Sequence, residues 1–216
     1  MEGIIYKVLD YQEKNKLLYL ITKNGKKTLV AKNSQTLNSQ DRILSQYLTK
    51  IKFEDNNKTM QTLKGASLID SYEEIKKNYS KIKYISVMLE IIDRFTGYEN
   101  NFDKIYQMLD KALKSANLRE VSLAFIAKML YELGYGFNLT KSSKEEIKGL
   151  NLVTSSLVFI DDSEPVTLNL YYTNLLLKLL YETFDKMEVL NEVDYDKLLR
   201  FIKDYYSYHI QPLKNI

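Results

Sequence analysis

The chain has 216 residues, 45% hydrophobic and 27% charged, with seven Gly, two Pro and no Cys. That composition excludes disorder, collagen-like or Pro-rich architecture, a disulfide scaffold, a thiolate zinc site and a cysteine nucleophile. The net charge of +3 is unevenly placed: residues 1–80 hold 14 Lys and Arg against 9 Asp and Glu, and residues 81–216 hold 17 against 19.

A basic first part suits a polyanion partner. Lys outnumbers Arg 27 to 4, and AT-rich codon usage with Lys on a solvated surface gives the same numbers. The single histidine, His209, excludes a multi-histidine metal site and leaves a Ser-His-Asp triad only with His209 as base. The longest apolar stretch, Leu168–Leu180, is broken by Asn169, Asn174 and Lys178, short of the ~20 apolar residues of a membrane span. Met1-Glu2-Gly3 opens without the basic region of a signal peptide, so a cytoplasmic location is expected.

Strands come first. Ile4–Leu9 alternates as a strand, Asp10–Asn15 reads as a turn, and Leu17–Ile21 is a second strand. Asn24-Gly25 predicts a tight hairpin with positive φ at both positions, returning through Thr28–Ala31. A polar loop, Lys32–Asp41, follows. Leu44–Phe53 ends with strand alternation, and Met60–Ile69 is a fifth strand bent at Gly65. Five short strands in seventy residues predict a closed OB-type β-barrel, although an SH3-like barrel would show much the same pattern.

From Ser71 the period turns helical, and an all-α helical domain is expected over 71–216. Ser71 with Glu74 predicts a capping box. Ile82, Ile85, Leu89, Ile92 and Phe95 line one helix face, stopped by Gly97; Phe102–Leu113 is a third helix. Asn117 with Glu120 predicts a second cap, ahead of a stripe of Leu118, Val121, Phe125, Met129 and Leu133 that Gly134 ends. Residues 135–162 hold a short helix at Ser143–Lys148, stopped by Gly149, and a small strand at Leu157–Ile160. Thr167–Phe184 is the central helix of the second core, and Asp194–Ile210 the last.

No catalytic constellation emerges, and a non-enzyme is expected. Asp161, Asp162 and Glu164 form the densest acidic cluster, which could hold a divalent cation but reads more simply as a loop capping the Thr167 helix. His209 beside Tyr205, Tyr206 and Tyr208 reads as a helix C-terminal residue. The barrel carries the stronger signal, because such barrels bind single strands with cations on phosphates and aromatic rings on bases. Lys23, Lys26 and Lys27 flank the hairpin turn, Lys32 and Arg42 bracket the long loop, and Tyr11, past the strand pattern, is the stacking candidate; Tyr6 and Tyr19 read as core.

The order of motifs resembles the RecO family of recombination mediators. Glu2 through Tyr11 is similar to its opening strand, as are Lys16-Leu17-Leu18 and Val30-Ala31-Lys32 to the next two. Leu133-Gly134-Tyr135-Gly136 with Asn138, Tyr205 through Ile210, and Pro212-Leu213-Lys214 resemble the family's LGYG segment and C-terminal ending.

The resemblance implies an OB-fold DNA-binding domain over 1–70 and a helical domain over 71–216. It implies binding of single- and double-stranded DNA, annealing of complementary strands, and a nucleoid-associated location. Implied partners are RecR, the acidic C-terminal tail of single-strand-binding protein and, indirectly, RecA. An RNA-binding accessory protein and a protein-binding scaffold are the alternatives. Many members carry a four-cysteine zinc module after LGYG. Here Ser142 and Glu145 fall where the first pair would lie, so residues 135–162 replace that module and no cofactor is expected. The loop 33–40 lacks the family's basic residues. The partner tail requires an apolar site with a cationic rim. The helical part offers Phe125 and Met129 with Arg119 and Lys128, and Lys111 lies beside them.

Overall fold

The computed structural model describes residues 1–36, 39, 41–140 and 146–215, and its compact units are Met1–Leu113 and Lys114–Ile216. The first unit runs β1 (Glu2–Tyr11), β2 (Asn15–Thr22), β3 (Gly25–Ala31), α1 (Asp41–Leu44), β4 (Lys50–Lys52), β5 (Met60–Thr62), β6 (Ser67–Asp70), α2 (Glu73–Lys76), α3 (Tyr79–Phe95) and α4 (Phe102–Ala112).

Six strands form one sheet in the order β5-β3-β2-β1-β4-β6, against the five expected. The difference lies at Gly65, whose φ of +55° bends the expected fifth strand into two. β5 pairs in parallel with β3, and β6 pairs antiparallel with β4. Those partners stand near opposite edges of the sheet. Flat, the two outer strands would lie about 24 Å apart, at ~4.8 Å per strand. The chain from Thr62 to Ser67 reaches at most about 18 Å. The sheet therefore curls into a half-barrel. Its inside is packed by Ile5, Leu18, Leu20, Leu29, Ala31, Ile51, Phe53 and Leu63.

The hairpin has a two-residue turn, Lys23-Asn24, closed by Thr22, whose hydroxyl donates to Gly25 O and accepts from Asn24 N. Positive φ falls at Gly25 (+123°) and not at Asn24, which corrects the expected turn type. α3 packs on β1 and α4 on β2. The Ser71–Glu74 capping box does not form: Tyr72 takes a left-handed conformation (φ +49°) and its amide donates to Asp70 Oδ1. Asn78 and Asn101 cap α3 and α4 through their side chains.

The second unit comprises α5 (Leu118–Glu132), β7 (Ile147–Asn151), β8 (Ser156–Phe159), β9 (Leu168–Asn169), α6 (Leu170–Tyr181), a 3-10 turn at Phe184–Lys186 and α7 (Glu192–His209). It is not all-α, because β8-β7-β9 form a three-stranded sheet. Residues 147 and 148 are strand where a helix was expected; residues 143–145 lie outside the described residues. Gly149 sits inside β7 because a Cβ there would meet Leu168 O at 2.3 Å.

The helix buried on nearly every side is α5, not the expected Thr167 helix. Its start lacks the expected side-chain cap: Asn117 Nδ2 donates instead to Met187 O at 3.0 Å. Its end is a Schellman turn through Gly134 (φ +81°), with Gly134 N on Tyr131 O and Tyr135 N on Leu130 O. Asn169, not the acidic loop, caps α6. Asp162 accepts from Phe159 N and Glu164 from Thr154 Oγ1, and no acidic cluster fit for a metal occurs among the described residues. His209 Nε2 lies 2.7 Å from Leu152 O and 3.2 Å from Ser155 Oγ, and Tyr205 OH donates to Ser155 Oγ at 2.6 Å. The sole histidine thus ties α7 to the β7–β8 turn. Among the described residues no helix is long and apolar enough to cross a membrane.

Candidate nucleic-acid interface

Of the expected DNA-contacting cations, Lys23, Lys26 and Lys27 lie at one end of β3 and Lys32 just past the other, about 20 Å away at ~3.3 Å per residue, while Arg42 is on α1. They do not occupy adjacent loops. At the hairpin end, two of the three are held by the protein itself. Lys26 Nζ donates to Asp93 O (3.1 Å) and Thr96 O (3.0 Å), carbonyls at the C-terminal end of α3, and lies over the Tyr6 ring at 5.8 Å. Burial lowers its pKa, with Lys7 adding to the shift and Asp93 opposing it. Lys27 pairs with Asp55 at 3.0 Å, the two side chains only 12% and 10% exposed, and also donates to Lys58 O. Lys23 is exposed at the turn and makes no ion pair among the described residues.

Tyr6 is buried as expected, whereas Tyr19 is only half-buried, on the sheet face opposite Leu18 and Leu20. The Tyr6 ring lies 6.4 Å from that of Tyr19, and burial first and Asp93 second push the Tyr6 hydroxyl far up. Lys7 completes this cluster by pairing with Asp93 at 2.9 Å. Lys50, another barrel cation, is buried against Asp110 at 2.7 Å under the Tyr106 ring. Burial alone would lower its pKa, but the Asp110 hydrogen bond, Tyr106 and the Asp110 charge together raise it.

The other end of β3 is different. The turn between β1 and β2 and the start of the long loop are stitched together: Asn33 N donates to Asn15 Oδ1 (3.0 Å), Gln35 N to Lys14 O (3.2 Å), and Gln35 Nε2 to Asp10 Oδ1 and Asn15 O. Left-handed residues Gln12 (φ +55°) and Asn33 (φ +53°) make both turns tight. The Gln35 side chain and the Asn33 and Gln35 amides serve this docking, the Ser34 and Thr36 hydroxyls close the loop on Ala31 O and Asn33 O, and residues 37, 38 and 40 lie outside the described residues. The joined turns carry Lys14 and Lys32 exposed and Tyr11 and Lys16 half-buried, with Arg42 exposed on α1. None of these four cations makes an ion pair among the described residues. Lys14 and Lys16 are not among the cations singled out in the sequence, where Asp10–Asn15 reads only as a turn; the docking of that turn on the long loop comes from contacts about twenty residues apart.

The expected tail site is not an open one. Phe125 and Met129 are completely buried in α5. Arg119 pairs with Glu120 (2.8 Å) and Glu192 (2.5 Å) and donates to Leu190 O. Lys128 Nζ donates to Leu180 O (2.6 Å) and Glu182 O (2.9 Å), satisfying the C-terminal carbonyls of α6.

A curled sheet whose last strand is split to close on β3 and β4, followed by helices, is the arrangement of an OB-type half-barrel protein. Two family models match the chain in order: Recombination protein O N terminal over residues 1–72 and Recombination protein O C terminal over residues 76–215. Similar relatives include the DNA repair protein RecO of Bacillus cytotoxicus, 28% identical over 140 residues covering 62% of this chain and 56% of the relative. Those of Caldicellulosiruptor bescii (26% over 155 residues, 69% and 64%) and Caldicellulosiruptor saccharolyticus (27% over 158 residues, 70% and 65%) are similar as well. The chain belongs to the recombination protein O family, a family of DNA repair and recombination. The matches span between 56% and 65% of the length of these relatives.

Proposed function

We propose that the chain is a non-enzymatic recombination mediator that binds single- and double-stranded DNA and anneals complementary strands. With a RecR-like protein and the single-strand-binding protein tail it would help RecA to load. The observation that carries this is the consecutive match of both halves to recombination protein O models, on a half-barrel with unpaired cations at one end.

The DNA-facing end in this proposal is that of Tyr11, Lys14, Lys16 and Lys32, with Arg42 and Lys23 as outlying contacts. Phosphate neutralisation there gives affinity without sequence preference. Lys26 and Lys27 act by shaping the hairpin rather than by meeting DNA. The RecR, tail and RecA contacts rest on family membership.

Binding of equal-length single-stranded DNA and RNA across a salt series tests the proposal. Salt-sensitive binding with preference for DNA is expected. RNA preference would favour an RNA-binding accessory role, since 2′-OH contacts decide between the polymers. Absence of salt-sensitive binding to either would leave a protein-binding scaffold.

A further inference from the structure

The start of α3 holds charge that the barrel does not use. Residues 75–89 contain Lys76, Lys77, Lys81 and Lys83 and no acid between Glu74 and Glu90. Lys76 is bound to Thr49 Oγ1 at 3.1 Å. Lys77 and Lys83 are exposed and Lys81 is half-buried, and none of the three makes an ion pair among the described residues. Among them stands Tyr79, 85% exposed; Tyr98 of the same unit is exposed as well but has no lysine cluster around it in the sequence, and Tyr6, Tyr72 and Tyr106 are buried. Tyr79 and Lys83 are four residues apart, so they share one helix face with Cβ atoms about 6 Å apart.

Three features set this surface apart from ordinary solvated lysines. The first turn of α3 has no acid, so Lys81 within it and Lys77 just ahead of its Asn78 cap add to the positive end of the helix dipole instead of opposing it. α2 and α4 carry acids in that position. The aromatic ring is held on a 17-residue helix, not on a loose loop. The surface also leads towards the barrel. The Tyr47 hydroxyl lies against Ser86, two turns along α3 on the same side as Tyr79, and Tyr47 follows Arg42 by five residues.

We propose that Tyr79, Lys77 and Lys83 form a second nucleic-acid contact outside the barrel, in which a base of a single strand stacks on Tyr79 and flanking phosphates meet the two lysines. The chemistry is that of sequence-tolerant single-strand sites, which combine ring stacking with backbone neutralisation. This inference rests on the nucleic-acid reading above and extends the strand beyond the β3 end.

The test uses the full chain. It has no tryptophan, so Tyr79→Trp installs a single reporter at an exposed position. Binding of a labelled oligothymidine is followed by anisotropy while the indole emission is recorded. Emission quenched along the same isotherm, and unquenched by an abasic strand of equal length, is expected. Tyr79→Ala should weaken binding about tenfold. Lys77→Gln with Lys83→Gln should reduce the salt slope by about 1.4. Binding with unchanged emission would overturn the second contact and leave the barrel reading standing. No binding of either strand would overturn both, and quenching by the abasic strand would overturn the stacking.

Discussion

Replacing Lys14, Lys16 and Lys32 together by Gln separates cations that can meet DNA from those already engaged. If each meets one phosphate of a single strand, log K loses about 0.7 per contact in its dependence on log salt, or about 2 in all. At about 0.1 M salt that same slope corresponds to about fivefold in affinity per contact, and about a hundredfold for three. The matched pair is Lys26→Gln with Lys27→Gln. There the ammonium groups hold Asp93 O, Thr96 O and Asp55, so the salt slope should stay near the parent's while stability falls. Breaking the mostly buried Lys27–Asp55 pair leaves Asp55 without its partner, a loss of about 2–4 kcal/mol with partial exposure taken into account. Anisotropy of a labelled oligonucleotide from 50 to 300 mM salt, on the order of the range where counterion release is resolved, reads the first effect; urea unfolding reads the second. A triple variant with the parent's slope, or a hairpin pair that loses slope at unchanged stability, would refute the placement of the interface.

Three further outcomes follow from the same contacts. Arg119→Met should cost about 3–5 kcal/mol in urea unfolding because it strands buried Glu120, and Arg119→Met with Glu120→Gln should recover much of that; equal stability of the single variant would contradict the pairing. Gly149→Ala should destabilise by about 1–3 kcal/mol through the clash with Leu168 O, while Gly134→Ala, with open space around it, should cost only the left-handed strain of about 1–2 kcal/mol. Burial raises the hydroxyls of Tyr6, Tyr47, Tyr72, Tyr106, Tyr205 and Tyr206, and pushes Tyr131 up to about 12. A raised folded value gives stability that is complete below the unfolded value near 10 and is lost as pH rises through the folded one. Lys26 and Lys76, whose folded values are lowered, work in the opposite sense but are fewer. The urea midpoint should therefore fall between about pH 9 and pH 12, and a midpoint constant over that window would contradict the burial of these rings.

The parts of the fold legible in the sequence are those set by local physics. Alternation marked β1 and β2, Gly25 and Gly65 marked a turn and a bend by their need for positive φ, and helical spacing placed α3, α4 and α7. Caps were less legible, because Ser71 competes with Asp70, whose carboxylate takes the Tyr72 amide first. The β7–β8–β9 sheet escaped because strands of two to five residues carry too few alternations to show a period. Burial all round α5 was hidden by Glu120 and Ser122, which read as polar but are buried with partners. The site was half legible. Residue type and loop position point to Lys32 and Arg42, but whether a lysine is available depends on acids far along the chain. Lys27 meets Asp55 from 28 residues away and Lys26 meets Asp93 O from 67, distances at which sequence pattern carries no signal.

A mediator of this kind brings two complementary strands together, and its effect is read in a strand-annealing measurement. Complementary oligonucleotides, each coated with cognate single-strand-binding protein, are mixed with and without the chain, and duplex formation is followed by energy transfer between end labels. Annealing should be faster with the chain, and the gain should be suppressed by high salt and by Lys14→Gln with Lys16→Gln and Lys32→Gln. An annealing rate identical with and without the chain at low salt would contradict it.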